Sequence, residues 1–172
     1  FNRDISKWNV ARVEIMQLMF RGGGSFNHSL SEWDVGRVKT MREMFSKAST
    51  FDQDLSKWDV ANVETMQEMF SSAWAFDQDL SEWDVGKVTD MQSMFYRAYA
   101  FNRDLSAWDV GRVASMQAMF AMASAFRPLS LSAWDVCRVT DMWEMFKTEG
   151  AVLIAAGAFD GELAGFDVSR VR

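Results

Sequence analysis

A phenylalanine returns every 25 residues along this chain, at Phe1, Phe26, Phe51, Phe76, Phe101 and Phe126, and Phe159 opens a further copy after a longer gap. A period of this length is the signature of a repeat architecture, in which each unit packs only against its neighbours. Numbering each copy from its Phe, tryptophan occupies position 8 as Trp8, Trp33, Trp58, Trp83, Trp108 and Trp134, with Phe166 in the last copy. Methionine holds positions 16 and 19, from Met16 and Met19 to Met142 and Met145, and Phe holds position 20. All 14 phenylalanines fall on this template, which marks them as core rather than as a scattered surface set. One copy carries too few apolar side chains to offset the entropy of ordering its own backbone, so the copies must stack to fold.

The local pattern predicts two elements per copy. Positions 16, 19, 20 and 23, as in Met66, Met69, Phe70 and Ala73, have the i, i+3, i+4, i+7 spacing of one helix face. Thr40 with Glu43, Thr65 with Glu68 and Asp141 with Glu144 read as capping boxes at the start of that helix. Upstream, "LSEWDV" places apolar residues at positions 5, 8 and 10, the spacing of a leucine-rich-repeat strand. The expected fold is therefore α/β: a single leucine-rich-repeat-like solenoid over residues 1–172, of about six and a half strand-plus-short-helix repeats. Its repeats start at 1, 26, 51, 76, 101, 126 and 159, the last truncated, with an irregular insertion at 147–158. The serines at position 6, Ser6 to Ser132, are expected to form a column that bonds backbone groups between coils.

A net charge of −6, from 18 Lys and Arg against 24 Asp and Glu, disfavours nucleic acid as a partner. A single cysteine, Cys137, excludes an internal disulfide and reads as a packed thiol in the small-residue slot at position 11. No run approaches the length of a membrane span. With one histidine, His28, which reads as a surface residue, neither a catalytic triad nor a zinc site assembles in the usual way. No phosphate-binding glycine motif is present, and "RGGGS" at 21–25 reads as a flexible coil corner.

Position 9 is acidic in Asp34, Asp59, Asp84, Asp109, Asp135 and Asp167, with Asn9 in the first copy. Stacked carboxylates about 5 Å apart need neutralising by a cation, by a basic partner or by local bonding. "DVGRV" favours local bonding, the Asp folding back onto backbone N–H groups in a turn. "DQD" at 52–54 and 77–79 lacks the ligand spacing of a calcium loop. Identical carboxylates also lack the contrasting environments that separate an acid from a base, so the chain reads as non-catalytic, with no cofactor and no metal.

The copies of "FDQDLSKWDVANVETMQEMF" resemble the BspA-like leucine-rich-repeat family, including its branch of 25-residue F-N-x-D-I-S-x-W-D-V-S-x-V-T-x-M-x-x-M-F repeats long filed as a domain of unknown function. The resemblance spans essentially the whole chain. It departs from the family pattern in favouring Gly or Ala at position 11, as in Gly36 and Ala61, and in its irregularity after residue 126. It implies a non-enzymatic, partner-binding solenoid at a cell surface or outside the cell, such as an adhesin module. A subunit of an intracellular or organellar assembly is the alternative.

Template positions serve the stack, so candidate contacts lie where copies differ. Trp74 and Tyr99 occupy position 24, which is Gly or Ser elsewhere, and Tyr96, Met122 and Trp143 also replace small or polar residues. They are expected to form an aromatic patch on the helix side of copies 3 to 6, a common kind of protein interface anchor. Val152, Leu153 and Ile154 in "AVLIAAGA" add apolar residues in a lengthened corner that either pack on the chain itself or dock onto a partner, including a large or membrane-associated complex. A calcium-dependent carbohydrate-binding module, using the Asp column and the exposed aromatics, is the alternative function.

Overall fold

The structure is a computed structural model and describes residues 1–127, 131–148 and Ser169. Its chain winds through 25-residue coils, 1–25, 26–50, 51–75, 76–100 and 101–125, and a sixth whose described part ends at 148. Adjacent coils meet in parallel register. Isolated bridges join Ile15 to Thr40, Thr40 to Thr65, Thr65 to Asp90, Asp90 to Ser115, and Ser115 to Asp141.

The expected strand-plus-helix repeat does not form, so the α/β solenoid is overturned: the described residues contain no helix, and only single-residue bridges stand where sheet would be. Turns make up about half of each coil. In the segment expected to be helical, N–H groups alternate between two destinations. Met41, Glu43, Phe45 and Lys47 donate to Thr65, Gln67, Met69 and Ser71 of the next coil, at 2.7–3.1 Å. The intervening Met44, Ser46 and Ala48 donate to Met41, Glu43 and Phe45, three residues back in their own coil. An α-helix would keep all of these N–H groups on its own chain. Here every second one is spent on the neighbouring coil.

Backbone conformation follows from that alternation. Position 18 lies in the left-handed region in every described coil, at Leu18, Glu43, Glu68, Ser93, Ala118 and Glu144, with φ between 50° and 64°. Position 22 does so again at Gly22, Lys47, Ser72, Arg97 and Met122, with φ from 55° to 72°. A positive φ at the third residue of a turn closed by an i to i+3 bond is the arrangement of a type II turn. The expected capping boxes are turns for the same reason. Thr65 Oγ1 accepts from Gln67 N at 3.3 Å and Asp141 Oδ1 from Trp143 N at 2.9 Å, two residues on rather than three, while the partner glutamates occupy the left-handed position. The expected strand is replaced by a turn as well: Trp58 N donates to Leu55 O at 3.0 Å.

The core matches the template although the secondary structure does not. Met66, Met69, Phe70 and Ala73 are fully buried, because a chain of short turns brings positions 16, 19, 20 and 23 to one side as a helix would. The rings at positions 20 and 1 form two interleaved columns. Phe70 stacks on Phe95 at 5.7 Å and Phe76 on Phe101 at 6.2 Å between coils, while Phe95 meets Phe101 at 4.0 Å. Offset stacking at these separations adds to the area buried. From the second coil on, each position-8 tryptophan indole reaches back one coil to the carbonyl at position 5, as in Trp58 to Leu30, Trp83 to Leu55 and Trp108 to Leu80 at 2.9–3.0 Å.

Candidate interaction surface

The acidic residues that invite a metal or catalytic reading are occupied by the chain's own turns. Asp34, Asp59, Asp84, Asp109 and Asp135 each accept, through Oδ1, the N–H two residues on, at 3.0–3.1 Å. That bond, from Cys137 N, holds the Asp135 carboxyl below its ordinary range. The first residue of each "DQD" binds across coils: Asp52 Oδ1 accepts from Asp77 N at 3.0 Å and from Gln78 Nε2 at 2.7 Å, and Asp77 Oδ1 from Asn102 N at 2.9 Å. The third turns inward on its own coil, Asp54 accepting from Ser56 N at 2.8 Å and Asp79 from Ser81 N at 2.9 Å. Both carboxyls are lowered first by that backbone bond and then by the serine hydroxyl. The serine column is thus corrected. Ser6, Ser56, Ser81 and Ser106 bond the aspartate two residues earlier in their own coil, and Ser31 bonds Ser29 in the same way. Among the described residues, no group of three or more His, Cys, Asp and Glu is placed to hold a metal ion.

Other single residues fall out differently from their sequence reading. Cys137 is exposed rather than packed. His28 is half-buried, its ring 5.7 Å from that of Phe26. The "RGGGS" corner makes turn and inter-coil bonds like those of later corners, Gly22 N reaching Ser46 O at 2.7 Å. Lys39 and Glu14 form an exposed ion pair at 2.7 Å that raises the lysine and lowers the glutamate, an arrangement of small energetic weight.

The divergent aromatics are partly brought together. Trp74 and Tyr99 are 52% and 38% exposed, and their rings sit 6.1 Å apart, tilted by 31°. Their backbone is fixed by Ala100 N donating to Trp74 O at 3.1 Å and Ala125 N to Tyr99 O at 3.2 Å. Because only main-chain atoms make those bonds, the stack needs no ring at position 24, where coils 1, 2 and 5 carry Gly24, Ser49 and Ser124. Tyr96 and Met122 are linked to each other through Arg97, whose guanidinium lies 5.2 Å from the Tyr96 ring centroid with Nε 3.2 Å from Met122 Sδ. Sequence reading passed over Arg97 because a lone cation in a loop is usually solvated. The signal lay in its slot, one residue after an aromatic that replaces serine. Trp143, 60% exposed, sits apart at the end of a glutamine row, where Gln67, Gln92 and Gln117 are linked amide to amide at 2.9 and 2.7 Å. Val152, Leu153 and Ile154, with all of the insertion at 147–158 beyond Thr148, and the copy opening at Phe159 apart from Ser169, lie outside the described residues.

A family model described as "Mycoplasma protein of unknown function, DUF285" matches residues 1–105 and 66–172, two overlapping stretches that together span the chain. The chain belongs to this family. Overlapping matches are what a period of 25 residues produces, since a model spanning several coils fits in more than one register. The family's description assigns no reaction or ligand. No curated protein matches the chain. Among the described residues, no helix is long and apolar enough to cross a membrane.

Proposed function

We propose that this member of the family is a non-catalytic repeat scaffold that binds another protein along the side of its coil stack. The observation that carries the reading is the Trp74–Tyr99 pair: two large rings, exposed and adjacent, at a slot where the fold is equally satisfied by glycine or serine. Exposed aromatic clusters with no role in the core mark interfaces. A rigid ladder of inter-coil hydrogen bonds beneath them reduces the entropy lost on binding. The resemblance of the copies to BspA-like repeats, carried by the F, W, M and F positions, supports the same reading, toward a surface adhesin module or an accessory subunit of a larger assembly.

Cross-linking mass spectrometry in the native source tests this. The intact chain should give reproducible cross-links from Lys47, Lys57 or Lys87 to one partner protein, and Trp74→Ser with Tyr99→Ser should remove them without lowering the melting temperature. Cross-links that survive the double substitution would place the interface elsewhere and overturn the reading.

A further inference from the structure

Away from the aromatic pair, a second row of the stack repeats a polar pattern once per coil. From coil 3 on, position 17 carries an amide, Gln67, Gln92 and Gln117, until Trp143 takes the slot in coil 6. Two residues earlier each coil has a hydroxyl or a carboxylate, and the parallel bridges at that position hold successive coils in register, about 4.8 Å apart. Gln67 Nε2 donates to Gln92 Oε1, and Gln92 Nε2 to Gln117 Oε1. The ladder stops there. Gln117 Nε2 meets no acceptor among the described residues, because the next slot holds an indole, which only donates. Gln117, Thr140, Asp141 and Trp143 line an open hollow of about 590 Å³ at this break. Asp141 uses Oδ1 to accept from Trp143 N, and its Oδ2 meets no donor among the described residues. Thr140 Oγ1 donates to Ala114 O at 3.3 Å and keeps its lone pairs as acceptors. Trp143 stands exposed on a backbone pinned by Ala118 N, which donates to Trp143 O at 2.8 Å.

We infer that this hollow, with the amide row that leads to it, binds a neutral β-linked chain of glucose-type pyranose rings and needs no calcium to do so. The inference goes beyond the scaffold reading, because it uses none of the residues of the Trp74–Tyr99 row. A pyranose ring with equatorial hydroxyls is apolar on its faces and polar round its rim. The Trp143 indole covers such a face, while the rim meets one open donor, Gln117 Nε2, and two open acceptors, Asp141 Oδ2 and Thr140 Oγ1. Hydroxyls both donate and accept, so they satisfy that mixed set. An apolar peptide anchor would leave it unpaired, and among the described residues no second exposed large hydrophobic side chain lines the hollow. An anionic sugar or a nucleotide is opposed by the Asp141 carboxylate and by a net charge of −6. A β-linked chain stays extended, so rings beyond the first advance coil by coil over Ser115 with Gln117 and Asp90 with Gln92, whose half-buried side chains present one polar pair each.

Isothermal titration calorimetry on the intact chain tests the inference with cellohexaose in buffer containing EDTA. Comparators are maltohexaose, whose α-linkages curl the chain, and hexagalacturonate, which is charged. Cellohexaose should bind tightest. Trp143→Ala should weaken it by about tenfold and leave the melting temperature unchanged, since the ring is exposed. Gln117→Glu still accepts from Gln92 but replaces the open donor with an acceptor, and should weaken binding by about threefold or more. Trp74→Ser with Tyr99→Ser should leave binding as it is. Absence of cellohexaose binding, equal binding of the three saccharides, a requirement for added calcium, or indifference to Trp143→Ala overturns the inference. Loss of binding in the Trp74→Ser, Tyr99→Ser variant would put the sugar on the other row and overturn it as well. Native cross-links test the scaffold reading separately, so either reading can fall while the other stands.

Discussion

The indole Nε1–H of Trp83 donates to the main-chain carbonyl of Leu55, 3.0 Å away in the preceding coil. Trp83 is only 3% exposed, so the bond is made in a dry interior where the carbonyl has no water to turn to. Trp83→Phe removes one of the two bonds at the Leu55 carbonyl, which still accepts from Trp58 N at 3.0 Å. The expected loss is about 0.5–1.5 kcal/mol. Urea unfolding should show it as a lower midpoint. Trp8→Phe provides the contrast, since Trp8 is 55% exposed and should change stability by no more than about 0.5 kcal/mol. Equal losses at the two sites would mean that the inter-coil indole bond contributes nothing.

Position 22 offers a test of backbone strain with little side-chain interference. Gly22 has φ +72°, and a Cβ added there would meet nothing within 4 Å. Any effect of Gly22→Ala therefore reports the cost of the left-handed conformation alone, expected to be about 1 kcal/mol of lost stability. Ser72, with φ 58°, pays that cost already, and Ser72→Gly should return a similar amount. Thermal unfolding of both variants measures the pair. Shifts of the same sign would contradict the type II turn at this position.

These left-handed positions also explain which parts of the molecule were legible in the sequence. The buried set was: Met66, Met69, Phe70 and Ala73 are core whether the chain forms a helix or a run of four-residue turns. What the apolar spacing could not reveal was the destination of alternate N–H groups, because no side chain encodes whether Glu43 N bonds back into its own coil or across to Gln67. Glu43, Glu68 and Ser93 carry no turn-forming glycine signal, so a left-handed φ at position 18 was invisible from composition. The Asp34 and Asp59 turns were readable, since an aspartate followed two residues on by glycine or alanine is a local pattern. The Trp74–Tyr99 pair was visible as a departure from the template, whereas Arg97 became meaningful only once Tyr96 and Met122 were seen beside it.

Acid should loosen the stack in a defined direction. Asp54 and Asp79 have carboxyls lowered from 3.8, first by the backbone N–H of Ser56 and Ser81 and then by their hydroxyls; Asp4 is lowered in the same way by Ser6, and Asp135 by the backbone N–H and then the thiol of Cys137. A folded pKa below the unfolded one means that the folded chain holds its carboxylates charged more firmly than the unfolded chain does. The resulting stability is complete above the unfolded pKa and is lost as pH falls through the folded values. Melting temperature should therefore be flat near neutrality and fall below about pH 4. Asp54→Asn with Asp79→Asn should shallow that fall, because an amide oxygen still accepts the serine N–H and no longer titrates. A steeper acid transition in the double variant would overturn the assignment.

Phe95 stands at the junction of coils 4 and 5, stacked on Phe70 at 5.7 Å, Phe101 at 4.0 Å and Phe120 at 5.6 Å, and tilted against Trp108 at 6.5 Å. Phe95→Ala opens a cavity in both ring columns at once, at a cost of about 3–5 kcal/mol. In an array where each unit touches only its neighbours, that cost weakens one junction and leaves the others intact. Hydrogen exchange can read this amide by amide. The N–H groups of Met91, Ser93, Phe95 and Arg97, which cross from coil 4 to coil 5, should lose protection. Those of Met16, Leu18, Phe20 and Gly22, which cross from coil 1 to coil 2, should keep theirs. A uniform loss along the chain would mean that the coils unfold as one cooperative globule, and the picture of a stack held by nearest neighbours would have to be abandoned.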